Sequence, residues 1–194
     1  FLYDQLVLWV WNFPMSNRSL TVRPISINVL TASYRICGIT DVTNTGLMGL
    51  VNDATSGFME LRQASMARIH MPDKLVKKIA SIRLVKKRIH AICLENRRDI
   101  GPQALARGGF ERIKKYHVEI TNPIYEYQGF LEWSGRFDFS TIMVEGNRDF
   151  VPLYESRVRA VMLPNVKLKS PAILFNRELV DSLCITKKSV TKKS

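Results

Sequence analysis

The sequence predicts a mainly β protein with short helices, a β+α class, built as two tandem small antiparallel β-barrels or rolled sheets. Three observations carry this. Short runs alternate between apolar and polar residues at the period of a half-buried strand. Glycines and prolines separate those runs as turns. The chain also repeats itself. Tyr34-Arg-Ile-Cys-Gly38 matches Tyr125-Glu-Tyr-Gln-Gly129 at an offset of 91, Leu61 matches Leu153 and Pro72 matches Pro164 at 92, and Cys93 matches Cys184 at 91. Matches in order at a nearly fixed offset mark a duplicated unit, and one insertion and one deletion explain the drift.

Each element follows from these patterns. Ile25, Ile27 and Val29 alternate with polar neighbours and open the first unit; Val118 and Ile120 open the second. The tyrosine-bearing runs 34–38 and 124–129 come next, each closed by a glycine that suits a bulge or turn. Leu47, Leu50 and Val51 recur at helical spacing, as do Phe139 and Met143. Phe58–Leu61 and Phe150–Leu153 predict a further short strand, and Pro152 places it at an edge or bulge. Ala67, Ile69 and Met71 alternate, matched by Val158, Ala160 and Met162. The closing strands are expected at 81–85 and 89–94, and at 172–175 and 179–185. Barrel closure would remove the exposed edges that such short strands leave.

Residues 73–94 offer a competing pattern. Leu75, Ile79, Ile82, Val85, Ile89 and Ile92 fall three or four apart, and Asp73 stands where a cap would stand, so the segment alone reads as a basic amphipathic helix. Its counterpart carries Pro171 mid-run, which would cost a helix roughly 3 kcal/mol. The repeat therefore predicts two strands in both units.

The implied organisation is an N-terminal arm (1–24), a basic first β-domain (25–94), a linker (95–116), an aromatic second β-domain (117–185) and a basic disordered tail (186–194). Phe1–Pro14 is apolar but too short for a bilayer, which needs about 20 apolar residues. It reads as the remnant of a longer chain, as a stretch preceding a true start at Met15, or as an arm docked on a partner.

The order of these anchors (Tyr-x-x-x-Gly, a small helix, Phe-x-x-Leu, an alternating strand, a proline and two closing strands) resembles a family of short, uncharacterised bacterial β-rich domains, here in tandem duplicate. The resemblance covers 27–94 and 118–185. It implies a β-rich fold and no activity.

The formal charge is +12, from 29 Lys and Arg against 17 Asp and Glu. Such a chain is drawn to nucleic acid, acidic lipid or an acidic partner. The charge is uneven: 12 basic against 5 acidic residues (+7) over 1–94, 6 against 3 (+3) over 95–116, and 11 against 9 (+2) over 117–194. Lys74, Lys77, Lys78, Arg83, Lys86, Lys87 and Arg88 form a run without an acid, and the linker adds Arg97, Arg98, Arg112, Lys114 and Lys115. Together they are the candidate anion- or nucleic-acid-binding residues, because clustered cations release counterions on phosphate contact. The bland reading is a solvated edge, since lysines on an edge strand discourage aggregation. The doublets Lys77-Lys78 and Lys86-Lys87 are expected at turns or strand ends, on one barrel rim beside the linker basics. The second unit holds Tyr125, Tyr127, Phe130, Trp133, Phe137 and Phe139 and is nearly neutral, so these aromatics read as core in preference to an exposed partner patch.

No phosphate loop, dinucleotide fingerprint, zincin motif or nucleophile elbow occurs, so no catalytic residue, metal site or cofactor is expected. Cys37, Cys93 and Cys184 lack metal-ligand spacing and suit a reducing, cytoplasmic compartment. Cys93 and Cys184, equivalent in the repeat, are expected to be buried. The expected function is a non-catalytic structural or interaction protein that docks on protein partners within a larger assembly, through its basic first and aromatic second units. The alternatives are a nucleic-acid phosphate-binding protein and a peripheral membrane protein using 1–14. No small-molecule substrate is implied.

Overall fold

A computed structural model describes residues 21–72, 74–102, 113–134, 136–145 and 148–186. The chain is mainly β. The first half contributes β1 (Arg23–Leu30), β2 (Tyr34–Val42), a short helix α1 (Gly46–Val51), β3 (Phe58–Arg68), β4 (Leu75–Val85) and β5 (Ala91–Leu94). The second contributes β6 (Ile113–Thr121), β7 (Tyr125–Ser134), a π-helical turn (Thr141–Glu145), β8 (Phe150–Ala160), β9 (Leu163–Asn176) and β10 (Ser182–Ile185). The two halves repeat one plan, including a single-turn 3-10 helix before the last strand, at Lys86–Arg88 and at Arg177–Leu179.

All ten strands belong to one antiparallel sheet, in the order β10-β6-β7-β8-β9-β5-β1-β2-β3-β4. Within each half the fifth strand lies beside the first and the fourth lies at the far side. The expected pair of closed barrels is therefore not what forms. The free side of β5 is taken by β9 of the other half, so the halves are joined as one open sheet whose two ends are β4 and β10.

Several expected elements are placed and lengthened. The competing helix over 73–94 is absent, and β4 and β5 stand there instead. Phe58–Leu61 and the alternating run after it are one strand, β3; Phe150–Leu153 and its successor are β8. Each of these long strands is bent. Gln63 (φ 50°) and Glu155 (φ 48°) take left-handed backbone at equivalent places. Opposite them the pairing register shifts at Gly38 and Gly129, which sit inside strands as bulge partners and do not end them. Pro152 lies in an interior strand, paired with Leu174 of β9, beyond the last registered β7–β8 pair at Phe130–Tyr154. Its missing N–H therefore breaks no β7–β8 bond.

The join between halves is where the core is densest. All four residues of β5 are buried, and so is 172–175 of β9. Successive residues serve opposite faces. Ile92 and Leu94, with Ala172 and Leu174, pack into a core with Val29, Leu47 and Leu61; Ala91 and Cys93, with Ile173 and Phe175, pack into a second core with Tyr125, Tyr127 and Leu153. Each fully buried Leu, Ile or Phe here stabilises the join by about 1.5–3 kcal/mol.

Polar side chains lock the same join. Ser170 Oγ donates to the Leu94 carbonyl at 2.7 Å, and the Leu94 N–H donates back at 3.2 Å. Asn176 Nδ2 donates to the Ile89 carbonyl at 3.1 Å. Asn52, just past α1, bridges to β8: its Oδ1 accepts from the Phe150 N–H at 2.9 Å and its Nδ2 donates to the Phe150 carbonyl at 3.2 Å. Asn122 Nδ2 lies 3.2 Å from His90 Nδ1 and 2.9 Å from Tyr127 Oη. The Tyr125 hydroxyl donates to the Thr31 carbonyl at 2.6 Å. Buried polar groups that are paired in this way fix one geometry for the join.

The expected linker begins as part of the first half. Ile100 is buried, and buried Asp99 pairs with Arg23 at 2.7 Å. Gly46 (φ 67°) and Gly101 (φ 102°) touch so closely that a Cβ on Gly101 would lie 2.1 Å from the Thr45 carbonyl oxygen.

Candidate functional site

The surfaces with chemical character are the two ends of the sheet. β4 reads LVKKIASIRLV, and only Leu84 in it is buried. Lys77 and Lys78 stand within the strand, opposite Met66 and Ser65, and both are exposed. They are at neither turns nor strand ends, which corrects the expectation; adjacent positions of a strand point to opposite faces, so the doublet flanks the edge on both sides. Lys74 is exposed in the turn before β4, and Lys87 and Arg88 are exposed in the 3-10 turn after it. Among the described residues these five make no ion pair within 4.0 Å.

The other candidate cations are committed elsewhere. Lys86 is buried, and its Nζ donates to the Asp53 carbonyl at 2.9 Å. Burial lowers its pKa, against the pull of Asp53 and Asp149. Its counterpart Arg177 is also buried, donating to the Ile142 carbonyl at 3.4 Å. Arg83 lies 3.6 Å from Glu60 and stacks 5.2 Å from the Phe58 ring centre. Arg97 pairs with Glu132 at 2.5 Å and lies 4.0 Å over the Tyr154 ring. That pair spans the join, so Arg97 has a structural post. Lys115 reaches Glu155 at 3.2 Å. Lys114 and Arg98 are exposed, and Arg112 lies outside the described residues.

The expected single rim does not form. Lys114 and Lys115 lie on β6, and seven strands separate β6 from β4 in the sheet. The seven-residue basic run and the linker basics are therefore separate features, because the fourth strand of the first half ends the sheet and does not return to the linker.

The aromatics of the second unit are largely core, the reading preferred over an exposed partner patch. Tyr125, Tyr127, Phe150, Tyr154 and Phe175 are buried, whereas Phe130, Trp133 and Phe137 are half-buried and Phe139 is exposed. Burial, with the Glu132 charge nearby, pushes the Tyr154 hydroxyl up to about 12.

The feature that sequence reasoning missed is the edge at β10. Its residues read SLCI and are mostly exposed, with Ile185 51% accessible. Cys184 is exposed there, while its counterpart Cys93 is buried and pushed up to about 12 by desolvation. The equal burial expected of the two cysteines fails because β9 covers β5, whereas among the described residues no further strand lies beside β10. At the opposite end Phe58, Leu75, Val76 and Val85 are exposed apolar residues on or beside β4. The signal that would have located both edges is the odd junction: a duplicated unit whose fifth strand pairs with the other unit's fourth leaves one of each unpaired.

Two grooves flank Lys169–Pro171 of β9, one of about 520 Å³ beside Gly129, Glu155 and Arg157, the other of about 450 Å³ beside Gly38, Gln63 and Arg35. They are the two bulge sites of the repeat and lie open to solvent. The first groove is also lined by Ser156, Ser170, His117 and Glu155, but among the described residues neither serine is hydrogen-bonded to the histidine or the carboxylate. Ser156 and Ser170 are buried and donate to carbonyls. His90 is held by Asn122, and burial lowers its pKa. His117 meets Thr186. No group of three or more His, Cys, Asp or Glu able to hold a metal occurs among the described residues. Among them, too, no helix is long and apolar enough to cross a membrane.

The chain matches no protein-family model, no curated protein and no solved structure. Function must therefore be read from the surfaces themselves.

Proposed function

We propose that the protein is a non-catalytic interaction component of a larger assembly, held there by the open ends of its sheet. The observation that supports this is the pair of edges, β4 and β10, neither of which is paired on its outer side by another described strand, and each of which carries exposed apolar side chains. Exposed edges of this kind pair with further chain unless blocked. Their contact chemistry is main-chain hydrogen bonding with apolar side chains beside it, a mode that needs no catalytic group. The three free thiols fit a reducing compartment, and a cytoplasmic location belongs to this reading. The membrane alternative rests on 1–14, which lie outside the described residues. The likeness to short bacterial β-rich domains adds no activity.

A second reading has its own observation: Lys74, Lys77, Lys78, Lys87 and Arg88 are exposed and free of ion pairs among the described residues. This is the footprint of a phosphate contact. Two measurements separate the readings. In size-exclusion chromatography of a native extract, an assembly component elutes well above its own 22.3 kDa at both low and high salt. Elution as a lone chain would sink the assembly reading. Binding of the purified chain to a labelled single-stranded oligonucleotide tests the other. Five phosphate contacts give a log–log salt slope of about −3.5, and Lys77→Ala with Lys78→Ala flattens it by about 1.4. Absence of binding at low salt removes the nucleic-acid reading. Lys86 does not belong in that variant set, because its ammonium group serves the Asp53 carbonyl.

A further inference from the structure

We infer that the partner at the sheet edges is a second copy of this chain, with β10 of one copy laid antiparallel on β4 of the next in the register of the internal β5–β9 join. This rests on the assembly reading above and names its partner.

β1 pairs with β5 through Leu30–Ala91, Val29–Ile92, Asn28–Cys93 and Ile27–Leu94. β6 pairs with β10 through Thr121–Ser182, Ile120–Leu183, Glu119–Cys184 and Val118–Ile185. The two sets coincide at an offset of 91, so β10 is β5 of the second half. In the same way Phe58–Val85 and Leu61–Ile82 of β3–β4 repeat Phe150–Asn176 and Leu153–Ile173 of β8–β9. β4 is thus β9 of the first half. The molecule already contains one joint between a fifth strand and a fourth strand, and among the described residues its sheet ends in one unpartnered fourth strand and one unpartnered fifth strand.

The register follows. Inside the chain Ala91 faces Phe175, Ile92 faces Leu174, Cys93 faces Ile173 and Leu94 faces Ala172. Carried over through the repeat, Ser182 of one copy faces Leu84 of the next, Leu183 faces Arg83, Cys184 faces Ile82 and Ile185 faces Ser81. The window on β4 is therefore 81–84, and Lys77 and Lys78 fall outside it. Lys78 corresponds to Lys169, which the internal joint leaves exposed beyond its own paired window.

Burial supports the same match. The residues left exposed at the ends are those whose counterparts the internal joint covers. Phe58 is 45% accessible and Phe150 0%; Ile185 is 51% accessible and Leu94 2%; Val85 is 55% accessible and Asn176 2%. One difference is systematic. Ser170, Asn176 and Asn52, which lock the internal joint, correspond to Ile79, Val85 and a position in the π-helical turn. The joint between copies thus lacks those side-chain hydrogen bonds and forms reversibly with concentration. Because β4 and β10 are different surfaces, the contact is head-to-tail, giving a ring if the rotation closes and a filament if it does not.

The test uses the full chain. Facing residues of an antiparallel pair have Cβ atoms about 4.5–5.5 Å apart, within reach of a short thiol–thiol crosslinker. Ile82→Cys, with native Cys184, should give a covalent ladder of three or more copies on a denaturing gel. Cys184→Ser in that background should abolish the ladder. Light scattering should show the parent's mass rising above 22.3 kDa with concentration and Phe58→Asp holding it there, with an unchanged circular dichroism spectrum. Crosslinking that joins Cys184 to Cys184 in the parent as efficiently would point to a two-fold dimer and overturn the proposal. A chain that stays monomeric and gives no ladder overturns it too. If that chain still elutes in a large complex from native extract, the assembly reading survives and only the self-partner fails.

Discussion

Replacing each repeat glycine with alanine should have unequal effects at the two equivalent sites. A Cβ on Gly129 would lie 2.7 Å from the Tyr154 carbonyl oxygen and 2.8 Å from Leu153 Cγ. Neither neighbour can yield cheaply: one is backbone, and the Leu153 side chain is fully buried in the second core. A Cβ on Gly38 would lie 3.1 Å from the Arg62 carbonyl oxygen and 3.1 Å from Leu61 Cβ, a contact that a shift of a few tenths of an ångström relieves. Neither glycine has left-handed backbone, so alanine meets no strain in φ. Restricting the unfolded chain favours alanine by about 0.4–1 kcal/mol at each site. Overpacking costs about 1–3 kcal/mol where the surroundings cannot relax.

The balance for Gly129→Ala is a net loss of about 1–2 kcal/mol; for Gly38→Ala it is near zero. Urea denaturation reads this directly. With a slope of about 2 kcal/mol per molar, Gly129→Ala lowers the midpoint by about 0.5–1 M while the slope stays unchanged. Equal losses at the two glycines, or a larger one at Gly38, would refute the claim that the second bulge is the tighter.

Asn52→Ala removes both bonds to the Phe150 backbone and should cost about 1–3 kcal/mol by leaving an amide and a carbonyl unpaired at the join. An unchanged thermal midpoint would show that the bridge contributes nothing. His90 titrates with a pKa lowered by burial, opposed by its bond to Asn122. Its contribution is therefore complete above the unfolded value of about 6.5 and is lost as pH falls towards the folded value, at up to about 1.4 kcal/mol per pH unit. Asp53, Glu60 and Asp138 have lowered pKa values and lose their contributions only below the carboxylate range. His90→Gln should thus flatten the stability profile just below pH 6.5; the same slope in parent and variant would exclude this origin.

What was legible in the sequence was whatever local pattern decides. The offset of 91 placed the strands of each half, and Pro171 decided between helix and strand at 73–94 because a missing N–H penalises a helix anywhere. What was not legible depends on which strand lies alongside. AICL and SLCI are similar four-residue runs with cysteine at the third place, yet the first is wholly buried and the second mostly exposed. No side chain of β10 encodes that outcome; the position of β9 does. The tyrosines illustrate the converse. Tyr125 and Tyr127 alternate with polar residues as surface aromatics also would, and their hydroxyls are accommodated in the core because the Thr31 carbonyl of the other half accepts from Tyr125 and Asn122, five residues away, donates to Tyr127.

The lysines of β4 can be understood from the same geometry without choosing between phosphate contact and a merely solvated edge. β9 is 14 residues long, yet only four of them pair with β5. Pairing stops as β9 runs into Pro171, Lys169 and Lys167, where a proline withholds an N–H and exposed ammonium groups resist the desolvation that further pairing requires. β4 repeats this with Lys77 and Lys78 just beyond 81–84. A duplicated domain that joins through edges needs a joint that forms in one register and does not zip along the strand, since a slip by one residue would turn every side chain to the wrong face. Lys77 and Lys78, set outside the window, oppose further zipping; inside it Ile82 gains from being covered, while Arg83 stands beside Glu60. The excess of cations on the first half then follows in part from position. Its fourth strand is the one left at an open end, and an open end must limit pairing by charge, whereas the buried join between the halves can hold its register with Ser170, Asn176 and Asn52.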